Sequence, residues 1–155
     1  MRILLVEPGK TPVLKEIDGS LKSMQEIVGG TIQVLYPFAE PVALVCNDEG
    51  KLLGLPLNRA LRDEKGRIYD IVAGTFFLCG APEGSDRFES LSQQTGEAFQ
   101  QHFLCRENFL RINGKILCVR IDKRRERRKA GLYPDQSSGQ LRVEPGGEEG
   151  DPSFR

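Results

Sequence analysis

The chain has 155 residues, enough for one domain with a modest core that needs no disulfide or metal to hold it. Its 22 Lys and Arg residues balance 22 Asp and Glu residues, so overall charge favours neither nucleic acid, a membrane nor an acidic substrate as partner. No apolar run approaches the roughly 18 residues of a membrane-spanning helix, and the amino end lacks a secretory pattern. We therefore expect a soluble, cytoplasmic protein.

The sequence pattern of the amino-terminal half predicts short strands around one helix. "MRILLVEP" and "PVLKEI" are apolar or alternating runs that predict a hairpin through the "PGKTP" turn. Apolar residues at helical spacing predict a helix over residues 20–28, which the paired Gly29 and Gly30 end. "TIQVLYPF", "PVALVCND" and, after the turn "NDEGK", "LLGLPL" complete a predicted meander of strands.

The second half predicts a central strand, a helix and a hairpin. The apolar run at residues 68–80 is the candidate central strand, with Gly74 marking a bulge or a close backbone contact. A second helix is predicted over residues 91–104, because Ser90 and Gln93 have capping-box spacing and an apolar stripe follows. That stripe comprises Leu91, Ala98, Phe99 and Phe103. Asn113-Gly114 then predicts the turn of a terminal hairpin.

The composition changes sharply after this hairpin. "KRRERRK", residues 123–129, carries six basic residues and one acid, and the remainder has too little apolar content to support a core. We therefore predict one α+β domain over residues 1–122, with a small, mostly antiparallel sheet and two helices, and a disordered tail over 123–155. The basic positions, which are candidates for contact with nucleic acid, are Lys123, Arg124, Arg125, Arg127, Arg128 and Lys129.

The most informative polar pair in the predicted domain is Asn58-Arg59. We expect Pro56 to end a strand and Asn58 to fix a turn that presents Arg59 outward, where its planar guanidinium suits a carboxylate or phosphate. The alternative is structural: Arg59 pairs internally with an acid such as Asp63 or Asp70, or covers apolar surface with its stem.

The residue pattern gives little support for catalysis. The single histidine, His102, falls in the predicted second helix beside core positions and is interpreted as a partly exposed helix residue. The four cysteines include no CxxC pair, and the glycines match neither common phosphate-binding loop, so we predict no metal and no cofactor. The prediction leans away from an enzyme.

Several segments together resemble the domain-of-unknown-function family 3846 of phages and bacterial mobile elements. The resemblance covers roughly residues 1–110 and is most specific at Gly29-Gly30, at "LPLNRAL" and at "IVAGTFFLCG". It implies a small accessory protein of a mobile element in a bacterial cytoplasm. Asn58, Arg59 and Gly74 match the family's motif, and the match suits a structural role and a binding role equally.

Three functional hypotheses follow. The first is a non-catalytic binding module that recognises an anionic small molecule, or an acidic protein surface, through Asn58, Arg59 and neighbouring residues such as Gly74. The second is a nucleic-acid-associated regulator that uses the basic run. The third, an enzyme whose catalytic residues meet only in the fold, has the least support.

Overall fold

The computed structural model describes residues 1–121 and the backbone of Arg142–Val143. It contains two helices, α1 (Leu21–Val28) and α2 (Gln93–His102). The strands are β1 (Arg2–Val6), β2 (Val13–Glu16), β3 (Ile32–Leu35), β4 (Val42–Asn47), β5 (Leu57–Arg62), β6 (Ile68–Ala73), β7 (Phe76–Gly80), β8 (Arg106–Ile112), β9 (Lys115–Ile121) and β10 (Arg142–Val143). The predicted α+β class, with short and mostly antiparallel strands, is confirmed.

The largest unit is a five-stranded antiparallel sheet in the order β2-β1-β7-β4-β3. Successive side chains of a strand point to opposite faces, so Phe76 and Leu78 of β7 face one side while Phe77 and Cys79 face the other. All four are fully buried. The central sheet is therefore covered on both faces, which explains why its inner strands are apolar throughout.

Helix α1 covers one face of this sheet. Ser20 caps its amino end, and Gly29, at φ 80°, takes the left-handed conformation that ends it. Met24 and Val28 are the buried positions and pack with the Phe77 side of the sheet. The helix predicted over residues 20–28 is confirmed.

Helix α2 covers the opposite face through Phe99 and Phe103, which pack with the Phe76 side of the sheet. The predicted capping box is wrong, because the capping side chain is Ser92, which accepts a hydrogen bond from the Thr95 backbone at 3.1 Å. Ser90 instead accepts a bond from the backbone of Arg2 at 2.9 Å. Ala98, assigned to the apolar stripe, is exposed.

The prediction of a strand at "LLGLPL" is also wrong. Residues 51–54 form a turn in which the Leu53 amide donates to the Glu49 carbonyl at 2.8 Å, and Gly54 has a φ of 69°. Pro56 precedes a strand instead of ending one, because β5 begins at Leu57. Strands β5 and β6 form a separate two-stranded sheet that packs against the α2 side of the central sheet.

Gly74 divides the apolar run that was predicted as one strand. Its φ is 84°, and an added Cβ would lie 2.8 Å from Cδ1 of Leu55. The chain therefore leaves β6 at this point and enters β7 in another sheet. The predicted close backbone contact is present, because the Gly74 amide donates to the Pro56 carbonyl at 2.7 Å. Strand β7 is central as expected, but residues 68–80 are not a single strand.

Strands β8 and β9 form the predicted terminal hairpin. Its turn residues Asn113 and Gly114 have φ values of 50° and 77°, as a two-residue hairpin turn requires. Ile116 and Cys118 of this hairpin pack with Ala60, Ile68 and Ile71 in a third apolar cluster. The β5–β6 hairpin is thus enclosed between the central sheet and the β8–β9 hairpin.

The basic run and most of the predicted tail lie outside the described residues, so the prediction of disorder there stays a prediction. The exception is Arg142–Val143, whose backbone pairs with Val119 and Arg120 of β9. Within the part of the chain that the structure describes, no helix is long and apolar enough to cross a membrane.

The packing of α2 yields a stability prediction. Phe99 and Phe103 are 5% and 3% exposed, so replacing either by alanine should lower the free energy of unfolding by about 3–5 kcal/mol. Gln101, exposed on the same helix, is the matched control, and its alanine variant should stay within about 0.5 kcal/mol of wild type. Urea denaturation provides the measurement. Unchanged midpoints for both phenylalanine variants would contradict this packing.

Candidate functional site

Asn58 and Arg59 lie inside β5, which corrects the prediction that they form an outward-facing turn. Leu57 pairs with Ala73 and Arg59 with Val72, so Asn58 is an extra residue on the β5 side. Such a bulge breaks the alternation of side chains along a strand. Both Asn58 and Arg59 consequently point inward and are 0% exposed.

The Arg59 guanidinium donates hydrogen bonds to three segments of the chain. Its Nε and Nη2 donate to the Phe103 carbonyl at 3.2 and 3.1 Å, and Nη2 also donates to the Lys10 carbonyl at 2.7 Å. Its Nη1 donates to the backbone carbonyl and to Oδ1 of Asn58 at 3.3 and 3.0 Å. These five contacts match the five N–H groups of an arginine.

The structural alternative is supported in that Arg59 is buried, but its ion pair with Asp63 or Asp70 is not formed. Asp63 instead pairs with Arg67 at 3.2 Å, and Asp70 with Lys51 at 2.5 Å. The partners of Arg59 are carbonyl oxygens, including that of Phe103 at the end of α2, where carbonyls lack a helical partner and the helix dipole is negative. Burial lowers the pKa of Arg59, and attraction to Glu107 opposes that effect.

Asn58 extends the same set of contacts to the central sheet. Its Nδ2 donates to the carbonyls of Val6 and Gly74, both at 2.9 Å, while its Oδ1 accepts from Arg59. The Gly74 amide donates to the Pro56 carbonyl at 2.7 Å. Gly74 therefore ties the beginning of β5 to the junction of β6 and β7, which gives it a structural position beside Asn58.

Glu107 is a buried carboxylate that the sequence analysis missed. It is 5% exposed, and its Oε2 accepts from Nη2 of Arg62 at 2.9 Å while Oε1 accepts from Nη1 at 3.4 Å. Oε1 also accepts from the Ala60 amide at 3.2 Å, and Cys118 Sγ donates to Oε2 at 2.6 Å. Burial, followed by the charge of Glu107, raises the pKa of Cys118, so this thiol stays protonated as a donor.

One cavity, of about 320 Å³, lies beside the Lys51–Asp70 pair. Several arginine side chains line a different cavity. This second cavity, here called the arginine cavity, has a volume of about 240 Å³. Its charged lining consists of Arg59, Arg62, Arg120, Asp63 and Glu107, and its rings come from Phe38, Tyr69, His102 and Phe103. Of the three predicted ligand-binding residues, the structure brings Arg59 to this cavity but neither Asn58 nor Gly74.

The pKa of His102 depends on the charged groups around the arginine cavity. The residue is exposed, whereas a partly exposed one was predicted, and its ring lies edge-to-face 4.6 Å from the ring of Phe103. Burial lowers the pKa of His102, and the positive charges of Arg120 and Arg62 lower it further, against the opposing charges of Glu40 and Glu107. The imidazole therefore takes up a proton at a lower pH than a free histidine does.

The predicted nucleic-acid residues Lys123, Arg124, Arg125, Arg127, Arg128 and Lys129 lie outside the described residues. The continuous described segment ends two positions before Lys123, at Ile121, the last residue of β9. Among the described residues, no three His, Cys, Asp or Glu side chains are grouped so that they could hold a metal ion.

The described chain is a small α+β protein with a buried arginine and a recessed polar cavity. The model of the family described as "Domain of unknown function (DUF3846)" matches residues 1–104, and the chain belongs to this family. The match ends within two residues of the α2 carboxyl end and includes Asn58, Arg59 and Gly74. No curated protein and no solved structure matches the chain.

The contacts of Arg59 yield the second stability prediction. Arg59→Ala should lower the free energy of unfolding by about 3–5 kcal/mol, because buried carbonyls of three segments lose their donors. Arg59→Lys should recover only part of this loss, since an ammonium cannot reproduce the planar fork. Thermal and urea unfolding give the measurement.

The matched control for Arg59 is Arg67→Ala. Arg67 pairs with Asp63 on the surface, with its side chain 55% exposed, so its loss should cost no more than about 1 kcal/mol. If the Arg59 and Arg67 variants unfolded at the same denaturant concentration, the structural role of Arg59 would be refuted.

Proposed function

We propose that this protein is a non-catalytic binding protein that takes an anionic small molecule in the arginine cavity. The observation that carries the proposal is the charge of the lining, in which three arginines face two carboxylates around about 240 Å³. The family resemblance supports the further proposal that the chain is an accessory protein of a phage or bacterial mobile element and that it acts in the cytoplasm.

In this proposal Arg59 supports anion binding without contacting the anion. Because Arg59 is fully buried and all its donors are engaged, it contributes charge to the cavity and holds the cavity wall, as does Arg62 through its pair with Glu107. Direct contact with the anion is assigned to Arg120. The hydrogen-bond partners of Arg59 are dipoles, which satisfy its donors without cancelling its net charge. A charge within a low-dielectric wall acts more strongly on an adjacent anion than the same charge in water.

A small molecule suits this cavity better than an acidic protein surface. The Arg62 side chain is 20% exposed, and the lining groups come from the loop after β3, the β5–β6 hairpin, the end of α2 and the β8–β9 hairpin. Protein surfaces meet over hundreds of Å², whereas recessed cavities bury most of a small ligand. An acidic partner would have to insert a single carboxylate side chain.

The first test of this proposal is binding of simple oxyanions to the full chain. Acetate and inorganic phosphate should shift the amide NMR signals of cavity residues, and Arg120→Gln should weaken this binding by about 1.5–3 kcal/mol, the worth of a charged hydrogen bond. Arg111→Gln, which removes an exposed arginine of β8 outside the cavity, should leave affinity unchanged. Absence of cavity shifts with either anion would overturn the proposal.

Acid should change both stability and binding through His102. Because its folded pKa is lowered, the unfolded chain binds a proton first, so stability is complete above about pH 6.5 and falls as pH decreases below that value. Anion affinity should rise over the same range, since a protonated imidazole adds positive charge to the cavity. His102→Gln should abolish both changes, measured by melting temperature and NMR titration at pH 7.5 and at stepwise lower values.

The second candidate function is association with nucleic acid through the basic run. It is favoured by the six basic residues within seven positions of residues 123–129. Replacing all six by glutamine in the full chain should abolish a salt-sensitive affinity for DNA or RNA, because that affinity depends on counterion release. Glu126→Gln, which makes the same run more positive, should strengthen binding. No binding by the wild-type chain at low salt would exclude this function.

A further inference from the structure

We infer that an acidic groove, formed by residues 36–41 and 81–88, is the docking site for the basic run at residues 123–129 of the same chain. This groove is a different surface from the arginine cavity. It has an apolar floor and a rim of carboxylates, and the chain leaves β9 close to it.

Two loops that the fold holds together form the acidic groove. One loop follows β3 and the other follows β7. The Ala81 amide donates to the Pro41 carbonyl at 2.8 Å, which joins the two loops through their backbones. The groove is therefore a formed surface, and its floor consists of rings and other apolar side chains. These are Tyr36, Phe38, Pro41, Ala81, Pro82 and Phe88.

The rim of the acidic groove carries three carboxylates and one guanidinium. Glu40, Glu83 and Asp86 are exposed, and Arg87 is the single basic side chain of the lining. Within residues 1–121, none of the three carboxylates forms an ion pair. The rim therefore has more negative than positive charge, and it attracts cationic groups.

A floor of rings beneath a rim of carboxylates suits arginine side chains. A guanidinium stacks on the face of a ring and can donate to a carboxylate in the same position. Tyr36 is 66% exposed, so its ring is accessible for such stacking. The basic run contains four arginines and two lysines among its seven residues. The same carboxylates would repel the phosphates of a nucleic acid, so a basic protein segment is the occupant that this surface favours.

The chain leaves the continuous described segment close to the acidic groove. Arg120, the last residue but one of β9, lines the arginine cavity together with Phe38, and Phe38 also lines the acidic groove. Only Asp122 separates Ile121 from the basic run. Seven extended residues span up to about 23 Å, so the run is long enough to lie along the neighbouring groove.

This connection favours docking within one chain over docking between two chains. A segment joined by a short linker meets its site at an effective concentration on the order of mM. A second copy reaches that concentration only in very concentrated protein. Docking in the groove and binding of phosphates would then compete for the same basic side chains.

Paramagnetic relaxation in the full chain tests this docking. Glu126→Cys places a nitroxide label in the middle of the basic run, and Cys105→Ser removes the one native cysteine that is not buried. At low ionic strength the label should broaden the amide NMR signals of residues 36–41 and 81–88 relative to the reduced label. Salt at about 1 M should largely remove this broadening, because the Debye length falls to about 3 Å.

Neutralising the rim provides the residue-level test. The groove variant combines Glu40→Gln, Glu83→Gln and Asp86→Asn, all at exposed positions where substitution should leave the fold intact. Because three exposed ion pairs are lost, docking should weaken by about threefold or more, and the broadening should fall accordingly.

The matched control removes the same charge from exposed carboxylates outside the acidic groove. It combines Glu26→Gln, Glu64→Gln and Asp48→Asn. The labelled control chain should show the same broadening at residues 36–41 and 81–88 as the labelled chain with its native carboxylates.

A mixed sample separates docking within one chain from docking between chains. Isotope-labelled chains without a nitroxide are mixed with spin-labelled chains that carry no isotope, at protein concentrations well below mM. Docking within one chain predicts no broadening in this mixture. Broadening at the groove would assign the site to a second copy and overturn the inference.

Two further results would overturn it. One is the absence of broadening at residues 36–41 and 81–88 in the singly labelled chain, and the other is broadening that the groove variant leaves unchanged. Neither result bears on the arginine cavity, whose anion binding is measured separately with acetate and inorganic phosphate.

Discussion

The fold depends on one buried cation whose partners are carbonyl oxygens. Arg59 joins the turn after β1, the strand β5 and the carboxyl end of α2, and Asn58 beside it joins β1 and Gly74. Removing a guanidinium from water is costly unless all its donors are satisfied. Here the donors are satisfied by backbone groups that the fold leaves available at a helix end and a turn, so the charge and the backbone stabilise each other.

This arrangement places polar groups between apolar clusters. The cluster on the α2 side of the central sheet includes Leu61 and Val72, and the cluster against the β8–β9 hairpin includes Ala60 and Ile71. Arg59 and Glu107 lie where these two meet, and Arg62 bridges from β5 to Glu107. Directional bonds of this kind fix how the β5–β6 hairpin sits on its neighbours, which apolar contact alone does not specify. The arginine cavity occupies the same junction.

The local features of the fold could be predicted from the sequence. Gly29 ends α1, Asn113-Gly114 forms its turn, and apolar runs form the inner strands, since each of these features depends on neighbouring residues. The β5 region could not be predicted in this way. Asn58 turns inward because of a bulge, and the strand opposite that bulge lies more than ten positions further along the chain. The outward placement of Arg59 failed for that reason. Glu107 gave no signal either, since a charged residue in a strand ordinarily faces solvent.

The position of β7 at the centre of the five-stranded sheet has a consequence for folding kinetics. Strands β1 and β4 do not pair with each other; each pairs with β7, so Leu4 meets Leu78 across more than seventy positions of sequence. The β1–β2 and β3–β4 hairpins can form early from local contacts, but they join only when β7 arrives between them. Closing so long a loop costs entropy before any contact offsets it, which places the domain among slower-folding proteins of its size. During synthesis, both hairpins would expose apolar edges until residue 80 had left the ribosome.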